Sequence, residues 1–137
     1  MSPKIKMRRS VGRNRDLEGK QQAIEILRNV TDEEAFYFYE NIGNPTGESA
    51  KSLSEFISVI DVVKLESLLF HLKRKDFQKW FKETLGDPEL AKRMGRIASS
   101  NDKKLRTKIH AIVENRLQEL RDTFITIAVS EELTIKK

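Results

Sequence analysis

The chain contains no cysteine. That excludes a disulfide framework and any thiolate metal site, and it fits a reducing compartment. Two histidines are present, His71 and His110. They fall on different predicted helices, and neither has a second histidine four residues on, so no metal site is expected. His71 lies beside a leucine stripe and reads as a hydrogen-bonded core histidine rather than a base. No apolar run approaches the roughly 18 residues that would cross a bilayer, and the basic N-terminus lacks the apolar stretch of a signal peptide. A cytoplasmic, membrane-free protein is the expectation. Catalytic signatures are missing as well. Ser49, Ser52, Ser54 and Ser58 read as caps and surface positions with no G-x-S-x-G elbow, and no carboxylate pair falls in a predicted cleft. The sequence therefore points away from an enzyme and implies no catalytic residue and no cofactor.

What is present is charge, unevenly placed. Charged residues make up 34% of the 137, a composition that leans towards a heat-adapted source. The net charge is +5. Residues 1–15 hold Lys4, Lys6, Arg8, Arg9, Arg13 and Arg15 and no acid, leaving 20 basic against 21 acidic residues over 16–137. The arm carries all of the excess. Its apolar residues, Ile5, Met7 and Val11, are too few to offset the entropy of ordering it, so it is expected to be flexible when free. Lys and Arg on such a segment suit phosphate, because each one that neutralises a phosphate releases counterion and Arg forks two oxygens. RNA is favoured over DNA, since nothing resembles a zinc finger, homeodomain or basic zipper. A solubilising tail is the plainer alternative.

The body, residues 16–128, reads as one all-α domain, a compact bundle of about six helices. Asp16 is a candidate N-cap for a helix carrying Leu17, Ala23, Ile24 and Leu27. Thr31 and Glu34 have capping-box spacing. The following Phe36-Tyr37-Phe38-Tyr39 favours a strand by propensity, but no partner strand is evident, so a helix or an extended segment packed on the core is expected. Those four aromatics are also a conceivable base-stacking platform. Gly43-Asn44-Pro45-Thr46-Gly47 reads as a loop. It lacks the spacing and preceding strand of a phosphate loop. Ser49 or Ser52 then caps a helix with Leu53, Phe56, Ile57 and Ile60.

The segment from Leu65 to Met94 is the predicted centre. Leu65, Leu68, Leu69 and Leu72 form one helical stripe. Lys73, Arg74 and Lys75 interrupt it, and Asp76 is a candidate N-cap for a second helix with Phe77, Trp80, Phe81 and Leu85 on one face. Gly86 and Asp87-Pro88 then supply a stop and a start for a third helix with Leu90, Ala91, Met94 and Ile97. After a loop at Ala98-Ser99-Ser100-Asn101-Asp102, the longest helix is expected from Lys103 to about Ile127, followed by a frayed tail over 129–137. Its stripe runs through Leu105, Ile109, Ile112, Val113, Leu117, Leu120 and Phe124. Leu117, Leu120 and Phe124 extend beyond the core that the other helices cover, which predicts a homodimer through those residues.

Residues 36–97 carry the patterns F-x-F, P-T-G, A-x-S-L-x-E-F, H-L-x-R-x-D-F-x-x-W and G-D-x-x-L-A. In these the chain resembles a small helical domain family of unknown function from archaea and some bacteria. That family occurs alone or beside sugar-metabolising enzymes, so the resemblance implies a regulatory or docking module and brings no catalytic residues. Two functional expectations follow. One is a non-enzymatic RNA-associated factor with the arm on phosphate backbone and a ribosomal subunit as partner. The other is a protein-interaction module linked to carbohydrate metabolism.

Overall fold

Phe36–Asn41 (β1) and Asn44–Ala50 (β2) pair as an antiparallel hairpin, so the fold is mixed α and β and the all-α expectation is corrected. The missing partner strand was the glycine-rich segment itself. Asn41 faces Asn44 across a two-residue turn, Ile42-Gly43, in which Gly43 takes a φ of 76° that side chains rarely adopt. Pro45 is tolerated because a two-stranded sheet has only edge strands. The register slips between Tyr37 and Tyr39, where Gly47 has a φ of 90°. Thr46 closes this bulge: its Oγ1 donates to the Phe38 carbonyl at 2.9 Å and accepts from the Glu48 N–H at 3.0 Å. Strand alternation sends Phe36 and Phe38 into the core and leaves Tyr37 outside.

The structure is a computed structural model and describes residues 17–97 and 103–136. Helix α1 covers 17–27. Its buried face carries Ala23 and Ile26, continued by Val30 beyond the helix end, while Leu17 and Ile24 of the expected stripe are exposed. The pair Thr31 and Glu34 forms, with Oγ1 to Oε1 at 3.1 Å, but it closes a turn and not a helix, because the strand begins immediately after. Helix α2 is Leu53–Ile60, and Ser52 is its N-cap, accepting from the Glu55 N–H.

Helix α3, Leu65–Arg74, ends on Lys75 in the left-handed conformation, φ 63°. Asp76–Lys79 forms a single turn, α4, which runs into a π-helical turn over Trp80–Thr84. Asp76 does not cap it, having been drawn to other partners described below. The wider π turn is closed by Leu85 N–H on the Trp80 carbonyl, and then by Asp87 N–H on the Phe81 carbonyl at 2.8 Å across Gly86, φ 81°. Asp87 then caps α5, Pro88–Met94. Helix α6, Leu105–Lys136, continues beyond the expected end near Ile127.

The core is aromatic at its centre. Phe56 meets Phe81 at 5.1 Å, Phe77 at 5.2 Å, Phe38 at 5.6 Å and Trp80 at 5.9 Å between ring centroids. Around it pack the leucines of α3 and α5 and the α6 stripe, including Leu105, Ile109, Val113, Leu117 and Leu120. Thus β1 lies on α3 and on the aromatic cluster, and an open cleft remains where the hairpin turn, the end of α3 and the π turn meet.

Candidate functional site

The cleft has a volume of about 480 Å³, within the usual range for small-ligand sites. Ala35, Phe36, His71 and Trp80 are its buried wall residues. Tyr37, Tyr39, Ile42, Phe70, Arg74, Lys79 and Glu83 line its more accessible parts. Trp80 is held in place because its Nε1–H donates to the Glu34 carbonyl at 2.8 Å. Tyr37 is 48% exposed, and its hydroxyl donates to the Asp32 carbonyl, which fixes the ring across the entrance strand.

His71 organises the wall. It is 3% exposed, and both ring nitrogens are engaged: Nε2 accepts from the Tyr39 N–H at 2.8 Å, and Nδ1 lies 2.8 Å from Asp76 Oδ2. An acceptor at Nε2 requires the proton on Nδ1, so the neutral ring donates to the carboxylate. Burial pushes the imidazole below its ordinary value of 6.5, against the opposing pull of the Asp76 carboxylate. With both nitrogens committed, His71 positions β1 against α3 and has no free nitrogen for a ligand. Asp76 also accepts from Arg74 Nε at 3.1 Å, and the Arg74 guanidinium lies 5.1 Å from the Phe70 ring centre. The guanidinium plane is therefore fixed at the rim by an aromatic face and a carboxylate.

The rim is basic. Residues 73–82 hold Lys73, Arg74, Lys75, Lys79 and Lys82 against the single acid Asp76. All of these cations are exposed, and among the described residues none of the four lysines has a carboxylate partner. The Tyr39 hydroxyl and the Glu83 carboxylate, both lining the cleft, likewise have no hydrogen-bond partner among the described residues.

Elsewhere the charged groups serve the scaffold. Asp87, 1% exposed, takes Arg116 Nε at 2.9 Å and Nη2 at 3.1 Å, while Arg93 grips Glu119 at 2.7 and 2.9 Å and Glu89 at 3.1 Å. The Arg93 guanidinium holds Glu119 below the usual carboxylate range. His110 sits between Asp61 at 3.1 Å and Glu114 at 2.9 Å on the α2–α6 seam, away from the cleft.

The arm residues Lys4, Lys6, Arg8, Arg9, Arg13 and Arg15 lie outside the described residues, as do Asp16 and the loop over 98–102. Leu117 and Leu120 of the expected dimer interface are 6% and 5% exposed within the single chain, so the apolar patch that motivated that interface is taken up by the core. Phe124 remains 39% exposed, with Lys20 Nζ 5.6 Å from its ring centre. No helix among the described residues is long and apolar enough to cross a membrane.

Sequence reasoning missed the cleft. Its signals were the five-residue spacing of His71 and Asp76 across a helix break and the cations over 73–82, read only as an interruption of a leucine stripe. His71, Arg74, Asp76 and Trp80, from the H-L-x-R-x-D-F-x-x-W pattern, all come together at this wall. In comparisons with known proteins, the chain matches no family model, no curated protein and no solved structure.

Proposed function

We propose that the protein is a non-enzymatic RNA-associated factor: the folded body offers a basic rim beside open aromatic rings, and the N-terminal arm grips phosphate backbone, with a ribosomal subunit as the large anionic partner. The observation that carries this reading is the rim itself. Four exposed lysines without carboxylate partners and a braced guanidinium gather on one ten-residue segment, and two of these cations, Arg74 and Lys79, line the cleft together with Tyr37 and Phe70. Cations supply affinity for phosphates, and ring faces supply sequence-tolerant stacking on unpaired bases. The absence of a free base or nucleophile at His71, whose nitrogens are both engaged, suits a binding role.

The test is binding to ribosomal RNA as a function of salt. Native protein purified at low salt is expected to carry RNA. Deleting residues 2–15 removes Lys4, Lys6, Arg8, Arg9, Arg13 and Arg15, and is expected to weaken affinity at least about tenfold and to flatten the salt dependence, with each lost phosphate contact removing roughly 0.7–0.9 from the slope. Helicity and melting temperature stay unchanged. A salt slope identical to that of the full chain overturns the reading.

A further inference from the structure

The cleft can be read more finely than as part of a basic surface. Its walls are rings: Phe36 and Trp80 behind, Tyr37 at the entrance, and Phe70 carrying the Arg74 guanidinium. Its charges are separated by role. Asp76 is consumed by His71 and Arg74, whereas Lys79 and Glu83 line the same cavity with no partner among the described residues. The Tyr39 hydroxyl is also unused.

That inventory selects a ligand chemistry. A sugar needs many paired hydrogen bonds around its ring, and the lining holds no Asn or Gln and only one unused carboxylate. A planar ring with an attached anion needs two flat faces and one cation, which the cleft supplies through Tyr37, the Arg74 plane and Lys79. Glu83 adds a preference, because a carboxylate accepts from the exocyclic amino group of cytosine, adenine or guanine, whereas uracil has no such amine and offers it only the ring N3–H. The π turn is what brings Trp80, Glu83 and Thr84 to one wall, and such turns recur at functional sites.

We infer that this cleft receives one unstacked, amino-bearing base of a single-stranded RNA, with the ring against Tyr37 and the Arg74 plane, the phosphate on Lys79 and the exocyclic amine on Glu83. The inference rests on the RNA-associated reading and adds to it a defined pocket and a base preference. The arm then supplies non-specific affinity, and the cleft supplies the discrimination.

Trp80, the only tryptophan and a wall residue, provides the readout. Full-length protein is titrated with a short oligocytidine, a short oligouridine, cytidine monophosphate, inorganic phosphate and a hexose phosphate, following Trp80 fluorescence. Oligocytidine is expected to quench it and to bind about tenfold more tightly than oligouridine. Phosphate and the hexose phosphate leave it unaltered. Lys79→Glu, a change at an exposed side chain, is expected to weaken oligocytidine binding by about tenfold. Glu83→Gln is expected to remove the cytosine preference, both variants melting as the wild type does. Hexose phosphate binding more tightly than cytidine monophosphate overturns the base assignment. Cytidine monophosphate binding as tightly as the oligonucleotide overturns the assignment to an RNA strand. If Lys79→Glu and Glu83→Gln change nothing while loss of residues 2–15 abolishes strand binding, the cleft inference fails and the RNA reading stands; if no strand binds at all, both fail.

Discussion

Replacing Asp87 by alanine removes two supports at once. The carboxylate accepts the Leu90 N–H at 3.3 Å as the N-cap of α5, and both of its oxygens receive Arg116 from α6. Loss of an N-cap costs roughly 0.5–2 kcal/mol. Breaking a buried ion pair from one side costs up to roughly 3–5 kcal/mol, but Arg116 is 19% exposed and retains Glu119 at 3.1 Å, which reduces that figure to about 1.5–2.5 kcal/mol. The sum is about 3 kcal/mol, equivalent to a fall of about 10 °C in melting temperature for a domain of this size. Asp87→Asn separates the two contributions, since asparagine caps as well as aspartate but carries no charge; it is expected to cost about 2 kcal/mol. A double-mutant cycle of Asp87→Asn with Arg116→Met, measured by urea unfolding, is expected to show a coupling of about 1–2 kcal/mol. If Asp87→Ala costs less than about 1 kcal/mol, or the coupling is near zero, the reasoning that α5 is tied to α6 through this pair is wrong.

Trp80→Ala is expected to cost about 3–5 kcal/mol, and Trp80→Phe about 1–2 kcal/mol because the Glu34 carbonyl loses its donor, with both values read from chemical denaturation. His71 has its imidazole held below its ordinary value, so the folded state binds fewer protons than the unfolded one; its contribution is complete above pH 6.5 and is lost as pH falls through the lowered value. His71→Gln, which keeps an acceptor for the Tyr39 N–H, is therefore expected to flatten the decline in stability below about pH 6.5, and an unaltered pH profile would contradict this. Lys75→Gly relieves a left-handed φ of 63° and is expected to raise stability by about 0.5 kcal/mol; a loss of about 1 kcal/mol, as for glycine inside a helix, would contradict that geometry.

Helices with an apolar stripe and a terminal signal were legible from local chemistry. Ser52, Gly86, Asp87 and Pro88 act where their residue types place them, and the Phe77-Trp80-Phe81 face is buried as its spacing requires. The hairpin was not legible, because β2 is built from residues that individually favour turns and is held by pairing with β1 and a bulge closed by Thr46. Local propensity carries no information about such a partner. The burial of Leu117 and Leu120 was misjudged for a related reason: the sequence shows where a stripe lies, whereas how far other elements cover it is a tertiary matter. The cleft needed the same kind of information, since Tyr39 and His71 are 32 residues apart and meet only in the folded chain, through the Tyr39 N–H on the His71 ring and an edge contact between the two rings.

Three arginines close the molecule at a distance. Arg28 Nη2 donates to the Thr84 carbonyl at 2.8 Å, Arg106 donates to the Ile60 carbonyl, and Arg116 holds the Asp87 cap. The termini of α2, the π turn and α5 are thus each satisfied by an arginine from a distant part of the chain, separated along it by 46, 56 and 29 residues. During synthesis, α2 and α5 emerge before Arg106 and Arg116 exist, leaving the Ile60 carbonyl and the Asp87 carboxylate to water. Their docking waits for α6, which makes the last helix made the step that locks the fold and couples stability at the ends of α2 and α5 to the C-terminal third of the chain.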